Sequence, residues 1–186
     1  VFVKSASSSP TLTNSVDSIL NNMSLDEKIG QLFMIPAYSN MGQEHEKSIE
    51  ELIKNYHVGG ILFFQGSPYH QVNLTNRFQD ISKTPLLIAI DAECGLAMRL
   101  DSTILFPRQM TLGAIQDNNL IYQMGKQIGI QCKEMGIHMN MAPVVDINNN
   151  PKNPVINHRS FGENPKNVTA KSLMYMKGLH EQKILA

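Results

Sequence analysis

The stretch Pro85-Leu86-Leu87-Ile88-Ala89-Ile90-Asp91-Ala92-Glu93-Cys94-Gly95-Leu96-Ala97-Met98-Arg99 decides the fold. Its first six residues are apolar throughout, which predicts a buried strand, and Asp91 follows that strand at once. In open parallel sheets and in closed α/β barrels, ligands bind at the carboxyl ends of the strands. Asp91 and Arg99 are therefore candidates for binding a polar substrate, and the structural alternative for Asp91 is the cap of a turn or helix.

The same alternation of an apolar run and a helical stripe recurs along the chain. Buried strands are predicted for residues 32–37, 61–64, 86–90 and 137–147. Residues at helical spacing, nearly all of them apolar, follow each strand, in the groups Ile49, Leu52, Ile53, Tyr56; Leu74, Phe78, Ile81; Ile121, Met124, Ile128, Cys132, Met135; and Val168, Ser172, Tyr175, Leu179. Because no strand alternates cleanly between apolar and polar residues, the pattern predicts a parallel sheet covered on both sides.

The two ends of the chain set the expected domain organisation. Residues 1–23 are predicted to form an N-terminal tail and a first helix, and Ser24-Leu25-Asp26-Glu27 matches a capping box that opens a second helix. Ile184-Leu185-Ala186 has the composition of a fifth strand that is just beginning. We therefore expect residues 24–186 to be an α/β unit, about the first four βα units of an eight-stranded TIM-type barrel, truncated before the fifth strand.

Half of a barrel would leave strands one and four as unpaired edges and would expose apolar side chains of the interior. Such edges and faces favour pairing or aggregation. The expected protein partner is therefore the missing C-terminal half or a second copy of the chain.

Composition excludes several classes of partner. Sixteen basic residues balance sixteen acidic ones, so no net field attracts nucleic acid or an anionic membrane. No apolar stretch has the roughly 18 residues of a spanning helix, which predicts a soluble chain. Val1 in place of an initiator Met and the small, polar residues 5–10 indicate a processed protein, which leaves export open.

The cysteines and histidines do not form a metal-binding pattern. Cys94 and Cys132 are expected to be free thiols, because two cysteines in a chain of this size make neither a disulfide scaffold nor a metal site. The six histidines lack HExxH-type spacing. No metal or organic cofactor is therefore expected.

A second group of polar residues follows the fourth predicted strand. Asp146 closes that strand, and the loop beyond it contains Asn157-His158-Arg159-Ser160-Phe161-Gly162, so both should lie at the same edge as Asp91. Considered alone, Arg159 is expected to tether its loop through an ion pair with Asp146 or Glu163. Asp146 is expected to be a buried carboxylate that orders this loop, and the role of Glu93 stays open.

These segments resemble the N-terminal barrel domain of glycoside hydrolase family 3, in particular its bacterial β-N-acetylglucosaminidase branch. The similar motifs are, in chain order, LDEKIGQLFM from Leu25, GGILFF from Gly59, the segment from Asp91 to Arg99, FPRQMTLGA from Phe106, APVVDI from Ala142, NHRSFGENP from Asn157 and MKGLHEQKI from Met176. Two positions depart from the family pattern. His158 replaces an acid that commonly precedes this arginine, and Cys94 stands where glycine or an aromatic residue is usual.

The resemblance implies a retaining, exo-acting β-glycosidase that removes terminal N-acetylglucosamine from a carbohydrate. Asp91 would accept hydrogen bonds from sugar hydroxyls, and Arg99 and Arg159 would donate to the same ring. Three alternatives remain: a β-glucosidase or β-xylosidase of the same family, a non-catalytic carbohydrate-binding domain, and an unrelated barrel enzyme with a phosphorylated substrate. No residue of this chain is assigned a catalytic role, because the resemblance places the His/Asp acid–base pair and the aspartate nucleophile beyond Ala186. We therefore expect the 186-residue chain alone to be inactive.

Overall fold

The computed structural model describes the backbone of residues 12–186 and the side chains from residue 16 onward. The polar tail predicted for residues 5–10 lies outside this part of the chain. The elements are α1 (Leu12–Asn22), α2 (Leu25–Gly30), β1 (Met34–Ala37), α3 (Gln43–Tyr56), β2 (Gly60–Phe63), α4 (Pro68–Ile81), β3 (Leu87–Ile90), α5 (Gln109–Gly113), α6 (Asn118–Glu134), β4 (Met139–Asn140) and α7 (Pro165–Glu181). Single 3-10 turns lie at Leu96–Met98 and Asn157–Arg159.

The strands form one parallel sheet in the order β1-β2-β3-β4. Ile35 pairs with Ile61 and Ile61 with Ile88, so neighbouring strands follow each other in the chain and a helical segment connects each pair. Leu185 forms a parallel bridge with Met139 on the far side of β4, where the fifth strand is predicted to begin. The predicted α/β fold of TIM-barrel type is confirmed.

The helices cover one face of the sheet, so the expectation of two covered faces is wrong. Ile61, Phe63, Ile88 and Ile90 point to the same side and are buried in one core with residues of the helices. On the opposite side Ala89 is buried, Leu62 and Leu87 are half-buried, and Pro36 on the edge strand is exposed. In a βα barrel the helices lie outside only and the strands' own side chains fill the interior, which explains this asymmetry.

The fourth strand is much shorter than the predicted residues 137–147. Only Met139 and Asn140 belong to β4, and the chain beyond them is irregular. Pro143 has no N–H to donate to a sheet, and Gln109 takes over the pairing that the strand would provide. Its side-chain amide donates to the Val144 carbonyl at 2.8 Å and accepts from the Val144 N–H at 3.0 Å.

Local sequence accounts for three helix ends, and the capping box predicted for residues 24–27 is confirmed. Ser24 and Glu27 form the reciprocal capping box of α2, and Asn164 caps α7 with Pro165 in the first turn. Gly136, with φ of +69°, follows the end of α6 in the left-handed conformation that glycine adopts readily. No helix among residues 12–186 has both the length and the hydropathy required to cross a bilayer.

Candidate functional site

Asp91 leaves β3 at its carboxyl end and forms an ion pair with Arg99. Arg99 Nη2 donates to Asp91 Oδ2 at 2.5 Å, and Arg99 Nε donates to the Asp91 carbonyl at 2.7 Å. The guanidinium carbon also lies 4.8 Å from the ring centre of Phe64, the residue after β2. These contacts fix Arg99 from two neighbouring strands. With 27% of the Asp91 side chain exposed, the carboxylate remains accessible.

Arg159 pairs with Glu93, so the expected ion pair with Asp146 or Glu163 is wrong. Its Nη2 lies 2.6 Å from Glu93 Oε1, and its Nε lies 2.9 and 3.1 Å from the two carboxylate oxygens. Only 7% of the Glu93 side chain is exposed, compared with 34% of Arg159. This buried carboxylate raises the pKa of Arg159, and the charges of Asp91 and Asp146 act in the same direction. Asp91, Arg99 and Arg159 thus lie at the same edge of the sheet.

Asp146 is exposed, which contradicts its expected role as a buried carboxylate. The strand ends at Asn140, so Asp146 lies six residues beyond it in irregular chain. The arginine loop is instead ordered by buried Ser160, whose hydroxyl donates to the Asp146 carbonyl at 2.5 Å. The same hydroxyl accepts from the Gly162 N–H at 3.1 Å.

Two buried side chains hold the backbone between Asp91 and Glu93. Asn140 accepts from the Ala92 N–H at 3.0 Å and donates to the Ala92 carbonyl at 3.2 Å. Tyr175 of α7 donates to the Glu93 carbonyl at 3.1 Å. Sequence reasoning missed both roles. An Asn within an apolar strand and a phenol on the buried face of a helix were the available signals, because buried polar groups require partners.

Two cavities adjoin these ion pairs. One, of about 400 Å³, is lined partly by Glu93, Cys94, Arg108 and Arg159, and the other, of about 410 Å³, partly by Ser39, Ser67, His70 and Arg99. A larger cavity of about 590 Å³ lies beside the start of β1, at the opposite end of the strands, with Phe33 and Tyr56 in its wall. We place the site at the carboxyl ends, where the charged groups converge.

Both cysteines are free, as predicted, and both are buried. Burial raises the pKa of the Cys132 thiol to about 12 and also raises that of Cys94, so neither is an activated nucleophile. Within residues 12–186, no three His, Cys, Asp or Glu side chains come together as metal ligands would.

The sequence also matches a known protein family. The family model described as "Glycosyl hydrolase family 3 N terminal domain" matches residues 24–186. This chain belongs to glycoside hydrolase family 3. Membership accounts for the parallel βα sheet and for a set of polar groups at its carboxyl edge.

Several named proteins are similar to this family 3 chain. It is 36% identical over 151 residues to "Beta-hexosaminidase A" of Pseudoalteromonas piscicida, covering 74% of this chain and 25% of that protein. It is 28% identical over 171 residues to "Beta-N-acetylglucosaminidase/beta-glucosidase" of Cellulomonas fimi, covering 92% and 30%. The chain thus spans about a quarter to a third of the length of these relatives.

Solved structures share the fold. A family 3 β-N-acetylglucosaminidase from Paenibacillus sp. str. FPU-7 is 34% identical with a TM-score of 0.78, covering 87% of this chain and 32% of that one. A structure titled as a β-glucoside phosphorylase reaches a TM-score of 0.86 at 24% identity, over 92% of this chain and 31% of that one. At that identity the likeness concerns the fold alone.

Proposed function

We propose that this chain forms the sugar-binding part of a retaining, exo-acting β-N-acetylhexosaminidase that hydrolyses terminal N-acetylglucosamine. The observation that carries the proposal is the convergence of the Asp91–Arg99 and Glu93–Arg159 ion pairs at the carboxyl edge of a family 3 sheet. Because the chain spans only part of its relatives, the hydrolysis is proposed for the complete gene product that contains it.

The charges of the site suit a neutral sugar. Two carboxylates and two guanidinium groups cancel, so neither an anion nor a cation is favoured by net charge. Asp91 offers an acceptor oxygen beyond the one that Arg99 occupies, and Arg159 Nη1 makes only a long contact of 3.4 Å with the Val155 carbonyl. Acceptor and donor can therefore bind hydroxyls of one pyranose and orient it as it distorts toward the oxocarbenium-like transition state.

We assign two different tasks to the residues of the site. Asp91, Arg99 and Arg159 contact the sugar, whereas Glu93 uses both oxygens on Arg159 and positions it. Asp91 and Glu93 are each engaged by a different arginine, so neither is assigned as the nucleophile or as the acid/base group. Retaining hydrolysis requires both of those groups as well. In this proposal residues 24–186 are the sugar-binding part of the barrel, residues 1–23 precede it, and the bond-cleaving groups lie in the further length that the relatives have.

One observation favours a second candidate, a β-glucosidase of the same family. The Cellulomonas fimi relative is named for both N-acetylglucosaminidase and glucosidase activity. Comparing kcat/KM of the complete gene product on aryl β-N-acetylglucosaminide, β-glucoside and β-xyloside separates the candidates. We expect the N-acetylglucosaminide to be preferred. Binding of N-acetylglucosamine without turnover of any aryl glycoside would instead indicate a non-catalytic carbohydrate-binding protein.

The role of Asp91 is tested by Asp91→Asn in the same assay. Removing a charged acceptor costs about 1.5–3 kcal/mol, so kcat/KM should fall by about 10- to 150-fold. Asp80→Asn on α4 is the matched control, because Asp80 is exposed and lies toward the other end of the strands. Equal activity of the two variants would contradict the proposed sugar contact.

A further inference from the structure

The cavity of about 400 Å³ beside the Arg159–Glu93 pair shares only Arg159 with the sugar contacts proposed above. Most of its wall is apolar and includes Ala97, Met98, Leu105, Phe106 and Pro107. Such a lining favours a compact apolar group, and the volume lies within the range of small-molecule sites. A cavity of this kind fixes its ligand through the few polar groups that point into it.

Arg108 supplies a cation in this wall. Among the four arginines of the chain, Arg77, Arg99 and Arg159 each form an ion pair with a carboxylate. Arg108 has no carboxylate partner within the described residues, and its side chain contacts the Nε2 atom of His158. Because guanidinium only donates, its remaining N–H groups are available to an anionic acceptor.

The charge of Arg108 influences the Cys94 thiol, which lines the same cavity. Burial raises the pKa of the Cys94 thiol, and the positive charge of Arg108 is the largest influence that opposes this increase. Cys94 lies in the wall of the same cavity. An acid group placed beside the thiol would therefore be attracted by the guanidinium.

We propose that this cavity binds a monocarboxylate carried on a compact apolar group, with the carboxylate bound by Arg108. A single charge is favoured over a phosphate of about −1.5 to −2, because Arg159 balances the charge of Glu93 and Arg108 then contributes one unpaired positive charge to the wall. The ligand has two sources with the same chemistry, a free small acid or the leaving group of the glycoside. The second source rests on the proposed hydrolase function, and the first does not.

The binding test uses 3-phenylpropionate, with 3-phenylpropanol and 3-phenylpropyl phosphate as matched probes, titrated calorimetrically into the complete gene product. We expect the acid to bind about tenfold tighter than the alcohol and Arg108→Gln to abolish that difference. Lys133→Gln on the exposed end of α6 should leave the difference unchanged. Equal affinity of wild type and Arg108→Gln for the acid would overturn the proposal, and tighter binding of the phosphate would overturn the monocarboxylate assignment.

Alkylation of Cys94 by iodoacetamide at alkaline pH, which offsets the raised pKa of the thiol, shows whether the probe occupies this cavity. We expect 3-phenylpropionate to slow labelling of Cys94 in the wild type and to have no such effect in Arg108→Gln. Binding of the acid without protection of Cys94 would place the ligand elsewhere and overturn the proposal.

The source of the acid is found from the kcat/KM values for 4-carboxyphenyl and 4-carbamoylphenyl β-N-acetylglucosaminides. A preference for the carboxylate that disappears in Arg108→Gln identifies the leaving group of the glycoside as the source of the acid. Equal turnover of both, with the free acid still protecting Cys94, identifies a separate small acid. If no glycoside is hydrolysed but the acid still binds through Arg108, the proposed hydrolase function fails and the cavity assignment stands.

Discussion

At the residue scale, Asp91 and Glu93 each form an ion pair with a different arginine. They are two residues apart, yet Asp91 pairs with Arg99 in the same segment and Glu93 with Arg159, 66 residues away. Glu93 is the more buried of the two acids, with 7% of its side chain exposed compared with 27% for Asp91. The position of Arg159 therefore depends on Glu93.

Replacing Glu93 with Gln removes the charge that holds Arg159. We expect the free energy of unfolding to fall by about 1–3 kcal/mol and N-acetylglucosamine to bind about tenfold more weakly, because Arg159 loses its charged partner. Urea denaturation and calorimetric titration measure the two effects. Glu163→Gln, at an exposed position of the same loop, is the control. A Glu93→Gln protein with wild-type stability and sugar affinity would refute this role.

The partner of Asp91 is easier to predict from the sequence than the partner of Arg159. Asp91 and Arg99 belong to one short segment after an apolar strand, so their placement at the edge of the sheet follows from strand polarity. The choice of Glu93 for Arg159 depends on the path of an irregular loop, which no periodicity encodes. Asp146 and Glu163 were plausible partners by sequence distance, and both are exposed.

At the element scale, α7 and β4 hold the turn that follows β3. The Tyr175 hydroxyl is buried and donates to the Glu93 carbonyl at 3.1 Å. Tyr175→Phe keeps the ring and leaves that carbonyl without this donor, so we expect unfolding to become about 1–2 kcal/mol easier. Tyr69→Phe, at an exposed residue of α4, should change stability by less than about 0.5 kcal/mol. Equal denaturation midpoints for both variants would exclude the hydrogen bond as a stabilising contact.

His138 couples β3 to the start of β4 in a pH-dependent way. Its Nδ1 accepts from the Ile88 N–H at 3.0 Å, which only the neutral ring can do, and partial desolvation lowers the pKa of His138. The unfolded chain binds this proton at a pKa of about 6.5, and the folded chain binds it only at lower pH. At pH values between the pKa of His138 in the folded chain and its pKa in the unfolded chain, the unfolded state carries more protons. The free energy of unfolding therefore rises with pH and falls on acidification.

Urea unfolding at a series of pH values from about 8 down to 5 measures this dependence. His138→Gln should reduce the loss of stability below pH 6.5, because no imidazole is left to protonate at this position. The control His180→Gln, at an exposed residue of α7, should retain the wild-type slope. A slope that His138→Gln leaves unchanged would assign the acid sensitivity to other groups.

Helices were easier to predict than the last strand. The caps at Ser24 and Asn164 and the buried stripe of α7 follow from local chemistry and spacing. The apolar run 137–147 instead combines two strand residues with irregular chain bound by Gln109. A short apolar run does not by itself distinguish a strand from another kind of buried segment. Tertiary contacts decide how many of its residues join the sheet.

At the scale of the whole molecule, the described residues form a parallel sheet with helices on one face and an apolar corner at one edge. Leu32 is 84% exposed, and Leu25, Ile29 and Phe33 beside it are exposed too. Exposed apolar patches next to an edge strand favour association. We therefore expect the 186-residue chain to self-associate.

Leu32→Glu should weaken that association by placing a charge in the corner while disturbing no buried contact. Sedimentation velocity over a range of concentrations measures it. Leu173→Glu, on the exposed side of α7, should associate like the wild type. A wild-type chain that sediments as a monomer at every concentration would contradict this expectation.

The central claim is that Asp91, Arg99 and Arg159 bind one pyranose at the carboxyl ends of the strands. A crystal structure of the complete gene product with N-acetylglucosamine tests it most directly. We predict a sugar hydroxyl within about 2.5–3.0 Å of an Asp91 carboxylate oxygen, and sugar oxygens within about 2.7–3.2 Å of guanidinium nitrogens of Arg99 and Arg159. A sugar bound away from this edge, with no contact to Asp91 or Arg159, would contradict the claim.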